Sequence, residues 1–179
     1  MSAIEETDPR YPIGRLQVPE TITAEHRAAA IAAIAAMPGL LKAAVKGLDR
    51  EQLETPYRDG GWTVRQTVHH IADSHINATV RLRWALTEDW PTIKIYYEKE
   101  WSELHDVTSA PIEWSLELLE NLHPRWVFLL DSLTDEQWQR GVIHPESGRL
   151  SVDKLTQIYG WHSKHHVAHI TRLRERKGW

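Results

Sequence analysis

The 179-residue chain carries a formal net charge of −4 at pH 7, with 41% hydrophobic and 26% charged residues, the balance of a single globular domain with a full core. No basic block offers a nucleic-acid footprint, the first residues are acidic rather than signal-like, and the longest strongly apolar run, Ala28 to Met37, is too short to span a bilayer; a cytoplasmic location without nucleic-acid or membrane partners is expected. With no cysteine, disulfides, thiolate ligands and a protein-borne thiol nucleophile are excluded, so any metal must be held by histidine nitrogen and carboxylate oxygen.

In chain order, residues 1–22 read as an extended N-terminal arm with Tyr11-Pro12-Ile13-Gly14 and Pro19. Thr23 can cap a first helix from Ala24 to about Gly47, whose apolar residues Ile31, Ile34, Leu41, Val45 and Leu48 recur at helical steps. Pro38-Gly39 is expected to kink or interrupt it. Residues 55–61 are loop chemistry, and Thr63-Val64-Arg65-Gln66 is a capping box opening a second helix to about Leu86. That helix carries Val64, Val68, Ile71, His75, Leu82 and Leu86 on one face and Ile76, Val80 and Trp84 on another, which suggests packing between neighbours.

Residues 88–110 hold no sustained period. A third helix follows from about Pro111 to Leu133, with a kink expected at Pro124, then a short helix capped by Thr134 and a loop from Gly141 to Arg149. Ser151 caps a last helix that ends near Gly178. Four long helices, no convincing strand and one long connection between the second and third helices describe an all-α four-helix bundle in one domain over 1–179, with those two helices parallel.

Seven of the eleven histidines crowd into residues 69–75 and 162–169. On the last helix the inward stripe is Leu155, Tyr159, His162, His166, Ile170 and Leu173, so two imidazoles one turn apart replace hydrophobes facing the core. One such histidine is ordinarily explained by a bond to a nearby carbonyl; a pair at this spacing is better explained by a shared metal ion that satisfies both nitrogens. His165 falls off the stripe and reads as a support behind the ligands or as solvent-facing, and His169, one turn beyond His166, is a candidate spare ligand. Ser163 stands where the helical zinc-peptidase motif places its glutamate, so that mechanism is unsupported. The third ligand would come from His69 or His70, with periodicity slightly favouring His70 through its polar strip of Gln66, Thr67, Asp73, Ser74 and Asn77. His75 reads as a packed core histidine, and Asp73 either as a carboxylate that orients a ligand imidazole or as a solvated side chain. Arg58 and Asp59 either approach the pocket mouth or fix the Gly60-Gly61 turn; Lys164 and Arg172 read as solvated.

These residues resemble a known family. The arm motif at 11–14, the stretch from Thr55 to Gln66 running into His69-His70-Ile71-Ala72-Asp73-Ser74-His75, the segment Glu100 to Leu104, His144-Pro145, and the run from Tyr159 to Ile170 are similar to the YfiT-like branch of the DinB superfamily, which includes bacillithiol S-transferases and proteins described as metal-dependent hydrolases. The resemblance covers nearly the whole chain. It implies an up-down-down-up bundle, a metal held by three histidines, and commonly a homodimer. In the superfamily the first ligand lies eight positions after the tryptophan that opens the second helix, which from Trp62 gives His70; the remaining ligands carry over onto His162 and His166.

Three imidazoles on one divalent transition metal leave positions open for a ligand from solution; donor type suits zinc, nickel and iron, of which zinc or nickel is expected. Two reactions fit: activation of a low-molecular-weight thiol for transfer to an electrophilic small molecule, towards which the resemblance leans, and hydrolysis by a hydroxide generated at the metal. A metal-binding module without turnover is the reading from another class, and it would call for a fourth protein ligand from His169 or Asp73. No general base is assigned.

Overall fold

A computed structural model describes residues 8–179; the first seven residues of the expected arm lie outside the described part. Four long helices make the bundle: α1 (Ala24–Val45), α3 (Val64–Thr87), α6 (Ile112–Asp131) and α8 (Val152–Lys177). Between them lie the short helices α2 (Arg50–Leu53), α4 (Glu98–Ser102), α5 (His105–Ser109) and α7 (Asp135–Gln139). Thr23, Thr63 and Ser151 cap α1, α3 and α8 as their sequences predict, each side-chain oxygen accepting from a backbone N–H in the first turn.

Contacts fix the helix directions. Arg27 meets Asp153 and Arg174 donates to the Ala44 carbonyl, so α1 and α8 run parallel. His69 meets Ser115 and His75 meets His123, so α3 and α6 run parallel. Arg81 meets Tyr159 and His75 meets His162, which makes α3 antiparallel to α8, the up-down-down-up order. The long crossover that allows it, residues 88–111, carries α4 and α5 along α3: Gln66 donates to the Ser102 carbonyl at 2.9 Å and Arg65 to the Ala110 carbonyl at 2.6 Å.

Three expectations need correction, and a fourth observation adds to the reading. The 141–149 segment is a β-hairpin, β1 (Gly141–His144) paired antiparallel with β2 (Gly148–Ser151), and Ile143 also bonds to Pro91 and Ile93 of the crossover. Strands of four residues are too short to declare a period in sequence. Gly141 is needed there because a Cβ would lie 2.3 Å from the Leu150 carbonyl. Second, Pro38 does not interrupt α1, which is continuous through it. Third, the second apolar face of α3 is not covered: Ile76, Val80 and Trp84 stay 37–38% exposed. Fourth, α1 as a whole is long and apolar enough to cross a bilayer, with a mean hydropathy of 1.8 over its best window, although its shorter run is not. In the bundle it packs on α6 and α8, with Ile34, Met37 and Leu41 fully buried.

The core is divided. One apolar cluster contains Met37, Leu41, Val68, Ile71, Leu119 and Ile170; the other contains Ile34, Ala78, Leu82, Trp126, Leu130 and Tyr159. Along α3, α6 and α8, His75, His123, His162 and His166 fall at the seam between the two.

Candidate metal centre

At this seam one nitrogen from each of His70, His162 and His166 comes together, all within 4.8 Å of one another. The Nε2 atoms of His70 and His162 are 3.3 Å apart. His70 and His166 are buried, whereas His162 keeps partial access to solvent. Burial holds the His70 imidazole at a pKa of about 3 and those of His162 and His166 well below the ordinary value. All three are therefore neutral at physiological pH, the form that binds metal.

The tautomer of His162 follows from a chain of hydrogen bonds. Pro38 has no N–H to give the Ile34 carbonyl one turn back, so that carbonyl is free. It accepts from His123 Nδ1 at 2.6 Å. Burial keeps His123 neutral, with a pKa of about 4, so its Nε2 carries a lone pair and accepts from His75 Nδ1 at 2.9 Å. By the same logic His75 Nε2 accepts from His162 Nδ1 at 3.1 Å. The proton of His162 is thus spent on His75, and its Nε2 is a bare lone pair beside His70 Nε2.

His166 is oriented from the other side. His169 Nε2 can only donate to the Arg10 carbonyl, 3.4 Å away, so its Nδ1 accepts from His166 Nδ1 at 3.3 Å, leaving His166 Nε2 unprotonated. His162 and His166 therefore each give their outer N–H to another histidine, an arrangement that fixes ring and tautomer for metal binding. Tetrahedral bonds of the usual zinc–imidazole length hold two ligand nitrogens about 3.3 Å apart, which matches the His70–His162 spacing. The residues fit a bound divalent ion.

Other histidines are accounted for differently. His69 donates from Nε2 to the Ala110 carbonyl at 3.3 Å, and its Nδ1 accepts from the Ser115 hydroxyl at 2.7 Å; both nitrogens are spent on the far side of α3. His165 is buried rather than solvent-facing, stacked on Trp161 with ring centroids 4.1 Å apart, and its Nδ1 has no partner among the described residues. His165, His166 and His169 form a second close triple, but His169 is occupied by its bonds to Arg10 and His166. His169 therefore stands behind His166. Asp73 makes no side-chain hydrogen bond to an imidazole; burial raises its pKa to about 6. The orienting role, one of the two readings of Asp73, is filled by His75 and His169.

The loop before α3 roofs the cluster. Backbone bonds from Tyr57 to Trp62 and from Val64 to Thr55 close it, Trp62 lies over His70 at 4.3 Å, and Tyr57 stacks on His169 at 4.0 Å. Arg58 and Asp59 serve that loop: the Arg58 guanidinium donates to the Asp59 carbonyl at 2.8 Å, and the Gly61 N–H donates to the Arg58 carbonyl at 2.9 Å. On the accessible side Ser74 Oγ lies 3.4 Å from His162 Nε2. Reading the sequence alone missed the contribution of His123, because it sits on a helix with no neighbouring histidine. Its one sequence signal is Pro38 itself, which announces a free carbonyl without saying what meets it.

Comparison with known proteins bears on the same features. Residues 33–170 match the family model of the DinB superfamily. A relative from Geobacillus thermodenitrificans, provisionally named a metal-dependent hydrolase, is 54% identical over 172 residues, covering 95% of this chain and 96% of its own. The solved structure of YfiT from Bacillus subtilis, described as a probable metal-dependent hydrolase with an unusual four-helix bundle topology, superposes with a TM-score of 0.92 at 48% identity, covering 96% of this chain and 98% of that one. With the family model matched across most of its length and the bundle shared with YfiT, the chain belongs to the DinB superfamily.

Proposed function

We propose that the chain is a metal-dependent enzyme in which His70, His162 and His166 hold one divalent transition-metal ion, zinc or nickel, and in which a low-molecular-weight thiol from solution is activated for transfer to an electrophilic small molecule. The observation that carries the metal reading is the convergence of three neutral imidazole nitrogens, with the outer N–H of His162 and His166 already committed to His75 and His169. When bound, the ion supplies Lewis acidity that stabilises a thiolate near neutral pH. His75 and His169 hold two of the ligand rings, Trp62 covers His70, and partial access at His162 gives a cosubstrate its entry. With three protein nitrogens converging and, among the described residues, no carboxylate hydrogen-bonded to their imidazoles, the site has the form of a catalytic centre rather than a closed structural one.

The absence of cysteine is compatible with both reactions and means only that a thiol would have to come from a cosubstrate. One feature favours thiol transfer. Among the described residues no carboxylate hydrogen-bonds to a cluster imidazole, and a thiol, far more acidic than water, needs no base once its pKa is lowered. The second reading, hydrolysis, is favoured by the names of the relatives. Elemental analysis of the purified protein, followed by assays of thiol conjugation to an aryl halide and of thiol-free ester hydrolysis, separates the two. Conjugation that requires metal and is lost in His162→Ala is the expected result. Hydrolysis without thiol at the same metal content would select the second reading. Metal content and melting temperature unchanged in His162→Ala would overturn both.

A further inference from the structure

The accessible edge of the cluster continues into a polar line. Beyond Ser74 Oγ stand the phenols of Tyr159 and Tyr96, both beside the Ser74 hydroxyl, and beyond Tyr159 stands Arg81, whose Nη1 donates to the Tyr159 hydroxyl at 3.2 Å. His70, Ser74, Asn77 and Arg81 occupy one face of α3 at steps of four, three and four residues. Helical side chains lean towards the N-terminus of their helix, which directs Arg81 back along this face towards the cluster.

Arg81 is short of partners. Its Nε is buried without a hydrogen-bond partner, and it takes part in no ion pair among the described residues, although Glu98 lies in its neighbourhood. Its guanidinium lies 5.7 Å from the Tyr96 ring centre, and Arg81 and Tyr96 line one cavity with Lys99 and with three carboxylates, Glu98, Glu100 and Glu146, against which Arg81 must draw an anion. A guanidinium is always charged and carries five donors, so an unfilled Nε in a partly buried wall is a vacancy for an acceptor. The chain's net charge of −4 works against anions in general, so attraction at this point is local.

We infer that Arg81, with the Tyr159 and Tyr96 hydroxyls, forms an anion subsite that takes a carboxylate of the thiol or of its electrophile, alongside the three-histidine cluster. The site thereby selects acidic small molecules whose reacting atom lies a few bonds from the carboxylate. This rests on the reading of the cluster as a thiol-activating centre, and the test keeps the two apart.

Nickel-loaded protein is titrated with 3-mercaptopropionate and with 3-mercaptopropanol, which differ chiefly in charge, following the thiolate-to-metal absorption band. A charge-assisted pair predicts binding of the acid roughly tenfold tighter than the alcohol, and a ratio near one in Arg81→Gln at equal metal content. Arg81→Lys, which keeps the charge, retains most of the ratio. A ratio near one in the wild type, or one unchanged in Arg81→Gln, overturns the subsite. Propionate provides a readout independent of sulfur: it raises the melting temperature of the loaded wild type more than that of the loaded Arg81→Gln. If neither thiol gives a band while the propionate difference persists, thiol activation falls and the subsite stands. Equal propionate shifts in the two proteins sink the subsite whatever the thiols do.

Discussion

Lowering the pH should unfold the metal-free protein steeply, and the buried histidines set how steeply. Burial places the folded pKa values of His70 and His169 at about 3 and of His123 and His165 at about 4. Their values in the unfolded chain are near 6.5, so the unfolded state binds protons that the folded state refuses. Stability therefore rises with pH: it is fully present above the unfolded value and is lost as pH falls through it towards the folded values. Between roughly pH 7.5 and 5.5 each of these groups removes about 1.3 kcal/mol, and the four together about 5 kcal/mol, which rivals the whole stability of a typical domain. Urea unfolding of chelator-treated protein at the two pH values is the assay. At an m-value of about 2 kcal/mol/M the midpoint should drop by about 2–3 M. Midpoints within about 0.5 M of one another would mean that fewer than one proton is taken up on unfolding, and the assignment of these imidazoles as neutral in the fold would be wrong.

Three further outcomes follow from the geometry. His123→Leu strands the Ile34 carbonyl and the His75 N–H, which should destabilise the fold by about 2–4 kcal/mol and weaken metal binding about 10- to 100-fold; an unchanged metal Kd in chelator competition would show that the outer bonds do not act on His162. Gly160→Ala places a methyl 2.9 Å from Ala30 at the crossing of α1 and α8, so despite its better helix propensity it should lower stability by about 1–3 kcal/mol in thermal unfolding. The exposed stripe of Trp114, Leu118 and Phe128 on α6 gives the expected homodimer an apolar face; light scattering should show twice the 20.7 kDa chain and Phe128→Asp a monomer, and a monomeric wild type would dismiss it.

The long elements were legible because their signals are local. Thr63 and Gln66 announce the start of α3, and Ser151 and Gly178 bracket α8. His162 and His166 declared themselves by sharing a turn-spaced core stripe. Periodicity favoured His70 over His69 only slightly, and the family register made the choice, since adjacent residues lie on neighbouring strips of a helix whose first half is largely buried. Tertiary contacts decide it in the structure: His69 turns to Ser115 and Ala110, and His70 to His162. The roles of His75, His123 and His169 were illegible for a related reason. Each depends on a partner about 50 or more residues distant, or on one whose direction is set by packing, and no spacing encodes that. The hairpin failed to register because four-residue strands carry too few alternations to be told from loop.

The bond sequence from Ile34 through His123 and His75 to His162 takes one link from each of α1, α6, α3 and α8. A slip of any helix by one turn would break it and leave polar atoms stranded between two apolar halves of the core. The sequence of bonds thus acts as a registration mark for the bundle, rejecting arrangements that satisfy the hydrophobes alone. Metal affinity then reports more than the presence of three ligands. A chain in which any one of the four helices has yet to dock has no oriented His162, so ion uptake should come last in assembly and should measure how completely the bundle has closed.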